Sequence, residues 1–139
     1  MALTKQEIDR FLAERRNVVL GTIRKDGSPQ LNPMWFYWTG EVFYISTTKT
    51  RFKYGHLKRD PRITLCIDDA TGFKTVIVEG RTEIVENDIW GPTRMIVEKY
   101  VAQDQVEARL ARLSTEPRVL LVVHPEKWIS WDLAASRRD

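Results

Sequence analysis

A chain of 139 residues with 42% hydrophobic and 29% charged residues is an ordinary folding composition, long enough to bury a core without disulfide staples. Its 22 basic and 19 acidic residues leave a net charge of +3, too small an excess to argue by itself for nucleic acid or a membrane surface. Cys66 is the single cysteine, which excludes an intrachain disulfide and fits a reducing, cytoplasmic setting, and no apolar run reads as a signal peptide or approaches the ~18 residues of a membrane span.

The chain opens on a helix signal. Thr4 and Glu7 have capping-box spacing, Leu3 and Ile8 sit at the staple positions, and Ile8, Phe11 and Leu12 form one apolar stripe. Val18 to Ile23 is β-branched and apolar, and Asp26-Gly27 marks a hairpin turn. The return strand, about Pro29 to Trp38, contains Pro33, which cannot donate to a ladder; the strand is therefore bulged or lies at an edge. Alternation cannot place Trp35, Phe36 and Tyr37 all inside, so at least one of them faces a ligand, a partner or solvent.

Thr39-Gly40 turns the chain into a third strand, Glu41 to Thr47, which delivers a hydroxyl cluster and a short basic helical segment ending at Asp60-Pro61. Ser46, Thr47, Thr48 and Thr50 precede or interleave the cations Lys49, Arg51 and Lys53. A helix N-terminus offers unpaired N–H donors and partial positive charge, and arginine adds a planar fork that matches phosphate oxygens. The stretch reads as an anion cradle. A solvated basic face is the plain alternative, and cations interleaved with Phe52, Tyr54 and His56 also suit a nucleic-acid strand.

Ile63, Leu65 and Ile67 alternate in a fourth strand, and Phe73 to Val85 forms a long fifth one in which Gly80 suggests a bulge or a close backbone approach. Asn87 or Asp88 is placed to cap the next helix, with Pro92 early in it. Helical spacing runs through Met95, Ile96 and Tyr100, then through Val106, Leu110 and Leu113. Arg118 to His124 is the last core strand, leading into Pro125 and Trp128 to Trp131. Its run Val119 to Val123 does not alternate, so both faces are buried, against a second subunit or against the chain's own helices. Six short strands, mostly joined by turns rather than by helices, favour a closed or partly closed antiparallel β-barrel with peripheral helices.

Some chemistry is excluded. There is no Gly-x-Gly and no phosphate loop of the nucleotide-triphosphatase kind. Cys66, His56 and His124 cannot make a closed zinc site of Cys and His ligands, and Asp68-Asp69 is explained by a turn. His124 ends a strand before Pro125 and reads as structural. With no evident nucleophile or metal, an enzyme built from this chain would rely on an organic cofactor.

Four segments together resemble the flavin/deazaflavin split-barrel superfamily of pyridoxamine 5′-phosphate oxidase, and in particular its short F420-dependent oxidoreductases. They are Gly27 to Phe36, Ile45-Ser46-Thr47, Arg51-Phe52-Lys53 with Leu57 to Arg62, and Val78-Glu79-Gly80. The similarity spans about residues 5–131 of a single domain, leaving 132–139 as a tail. It implies a mainly β (α+β), six-stranded split barrel that forms a homodimer with cofactor sites at the interface.

By the resemblance, Arg51 and Lys53, helped by Thr48 and Thr50, hold the cofactor phosphate. Gln30, Asn32, Pro33, Met34 and Trp35 line the tricyclic ring, Ser46 and Thr47 flank the ribityl chain, and Phe73 and Lys74 reach the site from the second subunit. The implied activity is hydride transfer from reduced F420 to an electron-poor small-molecule acceptor. FMN is the alternative cofactor, in an oxidoreductase or a non-catalytic carrier. The wider basic set of Lys49, Lys58, Arg59 and Arg62 suits the longer anionic arm of F420, and Arg137-Arg138 is a poor match for the substrate-binding end of the oxidase proper. His56-Leu57 stands where deazaflavin relatives commonly show Asn-Leu. No proton donor is evident; Tyr54, His56 and Lys74 are candidates beside bound solvent.

Overall fold

The computed structural model describes residues 2–133; residues 134–139, with Arg137-Arg138 and most of the expected tail, lie outside them. Helix α1 (Lys5–Ala13) begins with the capping box formed, Thr4 accepting from the Glu7 N–H and Glu7 reaching back to the Thr4 N–H. Its stripe of Ile8, Phe11 and Leu12 is buried. Next come β1 (Val18–Ile23), β2 (Pro29–Met34), β3 (Tyr37–Trp38), β4 (Phe43–Thr48), α2 (Phe52–Arg59), β5 (Arg62–Asp68) and β6 (Lys74–Val85). Helices α3 (Trp90–Tyr100) and α4 (Val106–Leu113) follow, joined through a single 3-10 turn, and β7 (Arg118–Asp132) closes the order.

All seven strands form one antiparallel sheet in the order β2-β1-β5-β6-β7-β4-β3. Laid flat, its two edges would stand about 29 Å apart at the usual strand spacing. Yet the edge strands β2 and β3 are neighbours in sequence, separated only by Trp35 and Phe36, a span of at most about 11 Å. The sheet must curl until its edges nearly meet. It is a half-barrel whose seam is closed by covalent chain rather than by a ladder, which is the split-barrel form.

Seven strands replace the expected six because the return strand breaks at this seam. Phe36 turns fully inward, while Trp35 and Tyr37 stay half-buried on the outside. The β1–β2 register runs unbroken from Val18↔Met34 to Ile23↔Pro29, so Pro33 is tolerated by its edge position and not by a bulge. The bulge lies instead at Glu79/Gly80, opposite Pro125. It absorbs that proline, and β7 continues to Asp132 instead of ending at His124.

Barrel closure sorts the side chains. Leu20, Phe36, Phe43, Ile45, Leu65, Ile67, Val76, Val78 and Leu121 fill the interior. The outward face of β7 is covered by the chain itself: Leu120 and Val122 pack against Ile89 and Ile96 around α3. The doubly buried last strand therefore does not require a second subunit. Helix α3 starts from Ile89 rather than from Asn87 or Asp88; Asp88 adopts a positive φ of 56° and makes the turn.

Lys99, on α3, ties three elements together by donating to the carbonyls of Leu12 (3.0 Å) and Phe36 (3.1 Å). Burial, followed by the charge of Arg16, lowers its pKa from 10.5 to about 8. Between those values the unfolded chain holds a proton that the folded chain has lost, so this group adds stability as pH rises through that window. Thermal melts are expected to show a rise between pH 8 and about 9.5, below the titration of tyrosines. Lys99→Met should flatten that rise, and an unchanged slope would refute the assignment.

Candidate functional site

The end of β4 carries the two hydroxyls of Thr47 and Thr48, each on a residue only 2% exposed. The chain then turns, with the Arg51 N–H donating to the Thr48 carbonyl at 3.2 Å, and the Thr48 and Thr50 hydroxyls share a bond of 2.7 Å. Arg51 is the N-cap of α2, and no side chain caps that end. Within the first turn Lys53 points inward and is only 5% exposed.

Arg118 arrives from a distant part of the chain. It opens β7 opposite Thr48, and its Nη1 donates to Ser46 Oγ at 3.3 Å while Nη2 pairs with Glu116 at 3.2 Å. Arg51, Lys53 and Arg118 thus converge with Asn32, Met34, Ser46, Thr47 and Thr48 on a cavity of about 260 Å³ that, among the described residues, no carboxylate lines. Burial first, then the charges of Arg51 and Arg118, holds the Lys53 ammonium below its ordinary pKa. An anion seated here would relieve that repulsion.

Two buried polar atoms in this wall have no hydrogen-bond partner among the described residues, Arg118 Nε and Asn32 Oδ1. Buried polar groups are nearly always paired, so an unpaired donor and acceptor on two residues that line one cavity fit a ligand with both oxyanion and N–H or O–H groups, reached by a small side-chain adjustment. Phosphorylated flavins and deazaflavins meet that requirement.

A second, apolar cavity of about 370 Å³ adjoins the cradle and shares Met34, Ser46 and Arg118 with it. Pro33, Met34 and Trp35 wall one side; Ile96 and Val97 from α3 and Leu113 from α4 wall the other. Trp35 is held in place. It stacks on Tyr100 with centroids 4.8 Å apart and planes 3° from parallel, while the Tyr100 hydroxyl bonds the Phe36 N–H and the Arg16 carbonyl. The Arg109 guanidinium lies 5.3 Å from the Trp35 ring centre.

Of the residues singled out from sequence, Asn32, Met34, Ser46, Thr47, Thr48, Arg51 and Lys53 line the cradle, and Pro33 and Trp35 line the adjoining chamber. Thr50 reaches it only through Thr48. Gln30 faces neither cavity. Phe73 and Lys74 lie at the far end of β6, about 35 Å along the strand from Val85, which pairs with Leu120 near the cradle.

The wider basic set is dispersed. Lys49 pairs with Glu86 at 2.6 Å, Arg62 with Asp60 at 2.7 Å, Arg59 donates to the Ile23 carbonyl, and Lys58 lies over the Tyr54 ring. These contacts draw the four cations away from the cradle, which removes them as supports for a long anionic arm and breaks up a basic stripe for nucleic acid. His56 Nδ1 is engaged with the buried Thr22 hydroxyl at 3.0 Å, and neither His56 nor Tyr54 lines either cavity.

Arg118 and Arg109 escaped the sequence reading. Arg118 becomes visible only when β7 is laid beside β4, a pairing across 70 residues that no local pattern reveals. Arg109 sits on an amphipathic helix where a lone arginine reads as solvated.

A family model described as pyridoxamine 5′-phosphate oxidase matches residues 4–132. A conserved hypothetical protein from Mycobacterium tuberculosis superposes with a TM-score of 0.84 at 26% identity, over 96% of this chain and 87% of that one. A structure described as an F420 reductase gives 0.70 at 27% identity, over 87% and 94% of the two chains. HutZ, described as a heme storage protein of Vibrio cholerae, gives 0.73 at 20% identity over 96% and 99%, which shows the shared fold alone. Among the described residues no helix is long and apolar enough to cross a membrane.

Proposed function

The chain belongs to the pyridoxamine 5′-phosphate oxidase family, and from that premise we propose an F420H2-dependent reductase that passes a hydride to an electron-poor small molecule. The observation that carries this reading is the direct junction of the carboxylate-free cradle of Arg51, Lys53 and Arg118 with an apolar chamber beneath Trp35. The 27% identical F420 reductase supports the deazaflavin over other cofactors of the fold.

In this reading Arg51, Lys53 and the Thr48 hydroxyl hold the cofactor phosphate, with Arg118 neutralising from the opposite side. Ser46 and Thr47 lie beside the adjoining sugar-alcohol chain, and Asn32, Pro33 and Met34 beside the ring. Asn32 Oδ1 is a hydrogen-bond acceptor without a donor among the described residues, suited to a polar hydrogen of the cofactor. When bound, the reduced deazaflavin supplies the hydride. The chain itself positions the acceptor against Trp35 and keeps water from its apolar face, an orientation effect rather than acid–base catalysis. Tyr54 and His56 line neither cavity, which leaves solvent, or Lys74 of a second copy, to supply the accompanying proton.

A homodimer is part of the same proposal, on grounds other than the last strand. Cross-strand pairing sets Pro33, Val19, Cys66, Ile77 and Ile129 in one row across the outer sheet face. Val19 and Ile129 keep 39% and 37% exposure there, and Leu31 nearby keeps 66%. Burying such a row favours association. Phe73 and Lys74, too far along β6 to reach their own cradle, would then approach the site of the other copy. Sedimentation at twice the chain mass is expected; a monomer at micromolar concentration would remove this part.

One observation favours FMN as a second reading. With Lys49, Arg59 and Arg62 engaged elsewhere, the cradle is dimensioned for one phosphate. Titrating cofactor-free protein with F420 and with FMN, followed by fluorescence, decides between them. Tighter F420 binding is expected. Preference for FMN would move the assignment to a flavoprotein oxidoreductase or carrier, and binding of neither would overturn the proposal.

A further inference from the structure

The chamber beneath Trp35 is lined by apolar side chains except for a few polar groups, and their disposition is uneven. Thr93 is spoken for, its hydroxyl donating to the Ile89 carbonyl at 2.6 Å. Ser46 accepts from Arg118 and Asn17 is an exposed neutral amide, so the charged groups of the lining are both cations: Arg118 at the junction with the cradle and Arg109 from α4. Among the described residues no acidic side chain lines the chamber.

Arg109 differs from the other arginine of this helix pair that faces across it. Arg94 on α3 is neutralised by Glu107 at 2.7 Å. Among the described residues Arg109 has no ion pair, and its recorded contact is the face of Trp35. It is half-buried, so its charge is incompletely solvated without being compensated. A guanidinium laid over an indole keeps its N–H edge free, and that edge is a planar fork matched to a carboxylate.

Deepening the proposed function, and resting on the chamber as the acceptor's seat, we propose that the acceptor is a planar, apolar molecule bearing a carboxylate, and that Arg109 binds that carboxylate. The apolar walls of Pro33, Met34, Ile96, Val97 and Leu113 select the flat body, and Trp35, covered by Tyr100 on one face and Arg109 on its ring, presents only its edge to it. Arg109 then fixes which end enters first, and so which atoms of the acceptor face the cradle end of the chamber. Arg118 stays with the cofactor side, where Ser46 and Glu116 hold two of its nitrogens. Arg109 is on this account a specificity-determining residue for the acceptor and has no part in holding the cofactor.

The test uses two probes, anthraquinone-2-carboxylate and the neutral 2-(hydroxymethyl)anthraquinone, titrated calorimetrically into the full chain. Wild type is expected to bind the carboxylate at least about tenfold more tightly, the usual worth of one hydrogen-bonded ion contact. Arg109→Gln should abolish that preference while leaving affinity for the neutral probe unchanged, and Arg109→Lys should restore part of it.

The same variants are titrated with F420 and FMN. Unchanged cofactor affinity supports the assignment to the acceptor, whereas weakened cofactor binding would show that Arg109 serves the cofactor and overturn it. Absence of a charge preference in wild type, or its persistence in Arg109→Gln, would overturn it as well. Should the wild type bind the carboxylate probe through Arg109 but no cofactor, the reductase reading fails and the anion site stands.

Discussion

The double variant Arg51→Glu, Lys53→Glu is expected to lose cofactor binding by a factor on the order of 10² to 10⁴, from two charge-assisted contacts of about 1.5–3 kcal/mol each. Lys53 makes this the most exposed part of the proposal to refutation. A lysine only 5% exposed as a residue, with two arginines nearby and, among the described residues, no carboxylate lining its cavity, lowers the stability of the folded chain. An anion seated in the cavity would offset that cost.

The fold should survive the reversal, because a carboxylate at position 53 would sit within the field of Arg118, whose charge already acts on Lys53. A matched control, Lys49→Glu with Arg62→Glu, makes the same change in net charge at residues paired outward with Glu86 and Asp60. It should weaken binding only through long-range charge, severalfold and in a salt-dependent way. Equal losses in the two double variants would mean that general positive charge, and not the cradle, binds the cofactor. Wild-type affinity in the first would exclude the cradle altogether.

Gly80→Ala is expected to destabilise the protein by about 3 kcal/mol, at the upper end of overpacking effects. A Cβ built at Gly80 would fall well inside contact distance of the His124 carbonyl oxygen and close to the Pro125 Cα. Both are backbone atoms, so no rotamer change can make room. This is the bulge that lets β7 run past Pro125, and β7 pairs with both β6 and β4. Displacing it moves Arg118 and the end of β4 together. A melting point lower by about 10 °C is therefore expected, with cofactor affinity also reduced. As a comparison, Gly55→Ala has nothing within 4 Å of the added carbon and lies within α2, where alanine is favoured over glycine, so it should be neutral or stabilising. A Gly80→Ala variant as stable as wild type would mean that the bulge relaxes freely.

Local chemistry was legible wherever the interaction is short in sequence. The capping box of α1, the turn at Asp26-Gly27, the strands flanking them and the hydroxyl-to-cation stretch at 46–53 all follow from neighbours within a few residues, and the chain alone determined them. So did the exclusion of a zinc site and of nucleotide loops, since those need residues the chain lacks. The missing N–H of Pro33 limited its strand to a bulge or an edge, and the unbroken register of an edge strand decided between them.

What the tertiary structure decided was partnership. Whether Val119 to Val123 meets a subunit or a helix depends on where α3 docks, and α3 covers it. Whether Lys49, Arg59 and Arg62 serve an anion depends on which acids and carbonyls come within reach, and those acceptors are Glu86, the Ile23 carbonyl and Asp60. Arg118 enters the cradle only because β7 pairs with β4, and Arg109 enters the chamber only because α4 lies over Trp35. Hydrophobic periodicity specifies which face of an element is buried but carries no information about which other element buries it. Long-range charge and packing partners are set when the sheet curls and its covalent seam at Trp35-Phe36 draws the two edges together.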